Sequence, residues 1–213
     1  MCKYHFEMTL AKPFLFYKEL NINMFELRYH TPLEWTEIVL KNFNRFLLDH
    51  AAAEKKASGM AMSMLSHYPD RPRLVKAMVD LSIEELTHFR DVVKIILDRG
   101  LQLEADSKDL YINQFRSYLR KESEAYLLDR LLTASIIEAR GCERFGLIST
   151  ALEPGGLKNF YGAIADSESR HQDLFIHLAK EYFKEATINQ RLDELLDIEA
   201  NIVNKLPWQA TLH

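Results

Sequence analysis

Glu85-Leu86-Thr87-His88 and Glu168-Ser169-Arg170-His171 place a carboxylate three residues ahead of an imidazole, twice in one chain. In an α-helix, positions i and i+3 stack on one face with Cβ atoms about 5–6 Å apart, so each pair offers two metal-ligating side chains side by side. One such pair means little, because 19 Glu and 8 His in 213 residues produce about 0.7 of them by chance. Spacing makes the pattern specific. The two pairs lie 83 residues apart. Upstream of each, a lone glutamate falls on an apolar helical stripe: Glu54 in DHAAAEKKASG and Glu138 in ASIIEARGCER, 84 residues apart. The interval from lone glutamate to pair is 31 residues in one half and 30 in the other. The chain therefore contains an internal repeat, each copy donating one Glu and one Glu-x-x-His.

Four Glu and two His projecting from four helices are the donor inventory of carboxylate-bridged di-iron and di-manganese bundles. Two divalent ions offset the charge of four carboxylates, which explains how such a cluster can lie in an apolar interior. Without cations the carboxylates would repel one another and some would take up protons. Oxygen donors with one imidazole per ion suit iron, with manganese in reserve; structural zinc would favour Cys and His, and calcium more oxygens. The expected ligands are Glu54, Glu85 and His88 largely for one ion, and Glu138, Glu168 and His171 largely for the other, with Glu85 and Glu168 as bridges. Arg140 and Arg170 lie close by, so a metal-free core of ion pairs is the competing account.

The elements that must position these residues follow from period and punctuation. Thr31-Pro32-Leu33-Glu34 predicts a helix start, with Thr31 as N-cap, Pro32 at the first helical position and Glu34 closing a capping box. A break is expected near Asn42 or Asn44, then a helix over about 44–66, ended by HYPDRP. A second helix, about 72–98, carries Leu74, Met78, Leu81, Glu85, His88, Val92 and Ile95 inward, with Gly100 just past its end. Residues 101–121 form a connection long enough to run the length of a bundle, with a short helix in DLYINQFRSYLR. A third helix, about 124–152 and capped by Ser123, turns Leu127, Leu131, Ala134, Glu138, Gly141, Phe145 and Leu152 inward. After Glu153-Pro154-Gly155-Gly156, a fourth, about 157–184, does the same with Tyr161, Ile164, Glu168, His171, Phe175, Leu178 and Tyr182. A last amphipathic segment spans about 188–204. The expected fold is all-α: a four-helix bundle with a core of about 44–184, a long crossover between its second and third helices and extra peripheral helices. The chain, 1–213, is expected to be one domain.

Composition agrees and excludes other classes. Hydrophobic residues make up 47% of the chain, enough for a sizeable core, and Gly and Pro are few at 7 and 6. The opening MCKYHFEMTLAKPF lacks the apolar run of a signal peptide and no later stretch approaches a membrane span, so a cytoplasmic protein with no membrane partner is expected. Cys2 and Cys142 form no CxxC pair and give no sign of a disulfide framework or thiolate site. A net charge of −4 and a pI of about 6.1 show none of the basic bias of nucleic-acid binders. Local basic clusters do exist: Arg71, Arg73 and Lys76; Arg116, Arg120 and Lys121; and Lys55 with Lys56. Methionines in GMAMSML read as core filler, and Cys142 as a small buried thiol.

The six positions resemble the ferritin-like superfamily. The windows DHAAAEKKASGMAMS (49–63), SIEELTHFRDV (82–92), LLTASIIEARGCERFGLIS (131–149) and ADSESRHQDLFIHLA (165–179) are similar to the tRNA 2-methylthio-N6-isopentenyladenosine hydroxylases, the MiaE family. The likeness spans about residues 35–185 with no substituted ligand, while 1–30 and 186–213 add no diagnostic motif. It implies a ferritin-like fold and a non-haem di-iron monooxygenase that uses O2 and two external electrons to hydroxylate the isopentenyl side chain of a modified adenosine beside the tRNA anticodon. It also implies that Glu54, Glu85, His88, Glu138, Glu168 and His171 hold the two Fe ions. Partners would be the prenylated tRNA and an electron donor the sequence does not identify, the protein acting as a monomer or dimer. Apolar side chains such as Met62, Met64 or Phe145 are expected to line the prenyl pocket. The alternatives on the same site are a rubrerythrin-like peroxidase, a manganese catalase, or iron storage; the first is disfavoured by the missing rubredoxin-type cysteine pairs.

Overall fold

A computed structural model describes residues 25–213, and no strand occurs among them. In chain order the helices are α1 (Leu33–Lys41), α2 (Phe43–His67), α3 (Pro72–Asp98), α4 (Leu110–Arg116), α5 (Ser123–Ala151), α6 (Gly156–Tyr182) and α7 (Glu185–Lys205). α2 packs antiparallel on α3 and α5 on α6, and the two hairpins meet through α3 and α6. α1, α4 and α7 lie outside these four, with α7 against α5 and α4. Cys2 lies outside the described residues.

Local chemistry sets the boundaries. Asn42 separates α1 from α2, where its backbone leaves helical geometry and its side-chain amide donates to the Ile38 carbonyl at 3.0 Å. α3 begins at Pro72, whose missing N–H costs nothing in the first turn. It ends in a Schellman motif: Gly100 has φ +70°, its N–H donates to the Leu97 carbonyl, and the Leu101 N–H reaches back to Ile96. α5 ends where Lys158 Nζ donates to the Ser149, Thr150 and Leu152 carbonyls, a cation on otherwise unpaired acceptors.

Two of the expected caps are absent. Thr31 does not cap α1; the cap position is Pro32, without a side-chain bond. The Thr31 hydroxyl instead donates to Glu143 at 2.7 Å and accepts from Arg140 and Arg144, each at 3.2 Å, because buried guanidinium groups recruit the acceptor. Likewise Ser123 is the first residue of α5 rather than its cap, which is Glu122. On α3 the buried stripe ends on Ile96, with Ile95 half-buried, because a four-residue step from Val92 keeps the same face. Leu152 and Tyr182, at the ends of their stripes, are half-buried.

The crossover spans the bundle. At one end Arg99 donates to Asn44 across the α2–α3 hairpin; at the other Arg71, in the α2–α3 turn, pairs with Glu124 of α5 at 2.6 Å. Between them, Lys55 pairs with Asp106 and Lys56 donates to the Ser107 carbonyl, which pins the connection along α2. The Asp109 side chain caps α4 through the Ile112 N–H, and α4 buries Tyr111 and Phe115.

Apolar packing divides the core into two regions. One includes Ala61, Leu81, Ala134 and Phe175; the other includes Ala51, Val92, Phe145 and Ile164. On each of the four bundle helices, the glutamates singled out by spacing fall between those two regions. A polar layer thus crosses the middle of the bundle.

Candidate metal centre

Glu54 of α2, Glu85 of α3, Glu138 of α5 and Glu168 and His171 of α6 are all buried, and His88 of α3 is half-buried. The six side chains from four helices converge. Glu54, Glu85, His88 and Glu168 each direct a ligand atom into one group, and Glu85, Glu138, Glu168 and His171 into another, with all atoms of a group within 4.8 Å of one another. The two groups share Glu85 and Glu168. Glu85 is divided between them: Oε1 lies 3.0 Å from His171 Nδ1, and Oε2 lies 3.5 Å from His88 Nδ1. Gly141 faces Glu168, whose Cγ would lie 3.6 Å from a Cβ there, so α5 can approach α6 closely at this level.

Both Glu85 oxygens, His88 Nδ1 and His171 Nδ1 are buried without a hydrogen-bond partner. Such orphaned atoms are uncommon in protein interiors and call for an explanation. Four carboxylates and two inward-facing imidazole nitrogens with unused lone pairs fit two divalent cations. The cluster, with its buried carboxylates and histidines, suits a di-metal site.

Without cations, protons take over the compensation. Burial pushes the Glu54 and Glu138 carboxyls well above the ordinary range, reinforced by Glu168. Burial also opposes charge on the imidazoles, but carboxylate neighbours override it: Glu54 and Glu85 push His88 up to about 10, and Glu168 and Glu85 push His171 up to about 12. Glu85 moves the other way. Its burial would raise it, yet His171 and His88 hold it well below the usual carboxylate range.

A layer of polar side chains behind the cluster escaped the spacing argument. His50, one turn before Glu54, is fully buried, with Nε2 2.6 Å from Glu54 Oε1 and Nδ1 3.4 Å from the Tyr161 hydroxyl. Burial lowers its pKa to about 3, so it is neutral. Glu84, beside Glu85, lies 3.3 Å from His171 Nε2 and accepts from Ser167 and Arg170. The Nδ1 of His171 is thereby left facing the cluster. His50 was legible as a same-face neighbour four residues before Glu54; nothing in the sequence indicated the partner of Glu84.

Neither arginine neutralises the six. Arg140 points away from them and binds Glu199, Glu143, Thr31 and the Tyr29 carbonyl; Arg170 binds Glu84. The three residues expected at a prenyl pocket lie in three different surroundings. Met62 is 48% exposed, Met64 is packed in the core region of Leu74 and Met78, and Phe145 lies against the His50 ring with centroids 4.6 Å apart. Exposure of Met62 also separates it from the core filler expected of that segment. Cys142 is half-buried, and burial pushes its thiol up to about 12, so it is protonated. The basic clusters are largely engaged: Arg73 with Glu181, Lys76 with Asp80, and Arg120 with Asp129. No helix among the described residues is long and apolar enough to cross a membrane.

Residues 18–213 match the family described as tRNA-(MS[2]IO[6]A)-hydroxylase (MiaE). Two relatives carry the name tRNA 2-(methylsulfanyl)-N(6)-isopentenyladenosine(37) hydroxylase. That from Pseudomonas putida is 31% identical over 86% of this chain and 89% of its own length. That from Salmonella typhimurium is 30% identical over 73% of this chain, which spans 56% of that relative's length. A solved structure, protein 43 with aldehyde deformylating oxygenase activity from Synechococcus, aligns with a TM-score of 0.82 at 31% identity, covering 88% of this chain and 94% of that one.

Proposed function

The chain belongs to the MiaE family of tRNA hydroxylases, and from that premise we propose that it is a non-haem di-iron monooxygenase that hydroxylates the isopentenyl side chain of 2-methylthio-N6-isopentenyladenosine in tRNA, next to the anticodon. The observation that carries this reading is the pair of four-donor groups sharing Glu85 and Glu168 in a buried layer. Glu54, Glu85 and His88 would hold one iron and Glu138, Glu168 and His171 the other, with Glu85 and Glu168 belonging to both donor groups. Bound iron would supply the redox chemistry, activating O2 with two electrons from an external donor and inserting one oxygen atom into a C–H bond.

The chain's own residues hold and shield that chemistry. Apolar regions on both sides of the polar layer keep bulk water from the donors, which strengthens their electrostatic interactions. Glu84 anchors His171 from behind, and such outer partners fix a ligand's tautomer and direction. The cluster comes nearest to solvent at His88, whose side chain is 13% exposed, and a prenyl group entering from outside would approach along that edge.

The deciding assay supplies iron, O2, a reductant and prenylated tRNA, then weighs the nucleosides after digestion. The expected product carries the mass of one added oxygen atom on the prenyl group. Fully metal-loaded protein that leaves this group unchanged refutes the reading. A second reading, oxygenation of an aldehyde, draws support from the likeness to the Synechococcus protein. It gains if an aldehyde is consumed and deformylated while tRNA is not. Rapid peroxide decay or bulk iron uptake, again with inert tRNA, would instead favour a peroxidase, a catalase or a storage protein.

A further inference from the structure

The two halves of the repeat match in their six donors but not behind them. The 84-residue step that maps Glu54 onto Glu138 maps His50 onto Ala134, and the 83-residue step that maps Glu85 onto Glu168 maps Met78 onto Tyr161. A buried histidine and a buried tyrosine hydroxyl therefore back one lone glutamate, while alanine and methionine occupy the corresponding places behind the other.

We propose that Tyr161, His50 and Glu54 form a hydrogen-bonded chain on one side of the centre, in which His50 is a positioning residue that presents Glu54 to a single metal position and makes the two ions inequivalent. The inference rests on the cluster being a metal centre. His50 Nε2 lies 2.6 Å from Glu54 Oε1. Bound to a cation, Glu54 would be ionised and could only accept, so this nitrogen would carry the proton in the loaded centre. His50 Nδ1 is then the acceptor for the Tyr161 O–H, 3.4 Å away. The tyrosine thus selects the tautomer that the glutamate needs. The ring is held by packing as well, with Phe145, Tyr161, Phe46 and Phe160 centroids 4.6, 5.6, 6.1 and 6.2 Å away. With Oε1 held, Glu54 is left to offer Oε2 to the cluster, where it lies 3.7 Å from His88 Nδ1.

Cobalt(II) titration followed by visible absorption tests the idea without turnover. Wild-type protein is expected to bind two ions. His50→Leu should weaken one of them roughly 10–100-fold and leave the other unchanged, the usual scale for losing a partner behind a ligand. The lost absorption band should be the one lost in Glu54→Gln. His50→Gln keeps an N–H for Glu54 and should restore most of the affinity, while Tyr161→Phe should show a smaller loss at the same site. Two unaltered ions in His50→Leu would overturn the inference while leaving the metal centre standing. Equal damage in His50→Gln and His50→Leu would overturn it too, since packing and not the hydrogen bond would then be responsible. Failure of the wild type to bind cobalt would remove the metal centre itself.

Discussion

Replacing Glu85 by alanine should abolish the metal-dependent stabilisation of both ions at once, whereas replacing His88 should abolish about half of it. The difference comes from where the atoms point. Glu85 sends one oxygen toward His171 and the other toward His88, and it belongs to both donor groups; His88 belongs to one. A ligand that binds only the folded state at 100 times its Kd adds about 2.7 kcal/mol, so two ions add about 5 kcal/mol. At about 2–4 °C per kcal/mol for a chain of this size, the wild-type melting temperature should rise roughly 10–20 °C on loading. Metal-free Glu85→Ala also loses the anion that faces two protonated imidazoles, so its own baseline falls, and the quantity to compare is the increment on adding metal. Thermal melts by circular dichroism, under anaerobic iron(II) or under cobalt(II) at matched free concentrations, give that increment. An increment in Glu85→Ala equal to that of the wild type would refute the shared-ligand geometry.

Metal-free protein should lose stability as pH rises, and loading should release protons. His88 and His171 sit above their unfolded values when folded, at about 10 and about 12, and Glu54 and Glu138 are also raised. The folded state therefore holds more protons than the unfolded one. The contribution of the histidines is fully present below their unfolded value of about 6.5 and fades as pH climbs through the folded values, so melting temperatures should fall between about pH 6.5 and 10. Calorimetry of metal binding in buffers of differing ionisation enthalpy should show net proton release; none would contradict the protonated cluster. Far from the centre, Asp129 is fully buried and accepts from the Arg120 N–H and guanidinium and from Arg191, which ties the crossover and α7 to α5. Breaking a buried pair costs about 3–5 kcal/mol, and because Arg120 can regain water the lower end applies to Asp129→Ala. At about 2–4 °C per kcal/mol, that is a fall of roughly 6–12 °C in the melt.

Much of the centre was legible before any fold. Glu54, Glu85, His88, Glu138, Glu168 and His171 stand out because a helix converts sequence spacing into shared faces, and because a divalent pair demands a short inventory of donors. The four long helices and the crossover were also readable, since apolar stripes of period 3.6 and the breakers at Pro72, Gly100 and Pro154 are local signals. Thr31 and Ser123 show where local rules fail: a capping pattern predicts a bond that buried Arg140 and Arg144, brought from over 100 residues away, divert from Thr31.

What the sequence alone determined, then, was which side chains each helix turns inward. Tertiary structure decided how those faces meet. Whether one Glu85 oxygen faces each histidine, whether Tyr161 reaches His50, and whether Arg140 joins the carboxylates or turns to Glu199 all depend on the rotation and axial offset of one helix against another. Those quantities are set by side-chain packing across the whole interior, and no single helix encodes them in its own period.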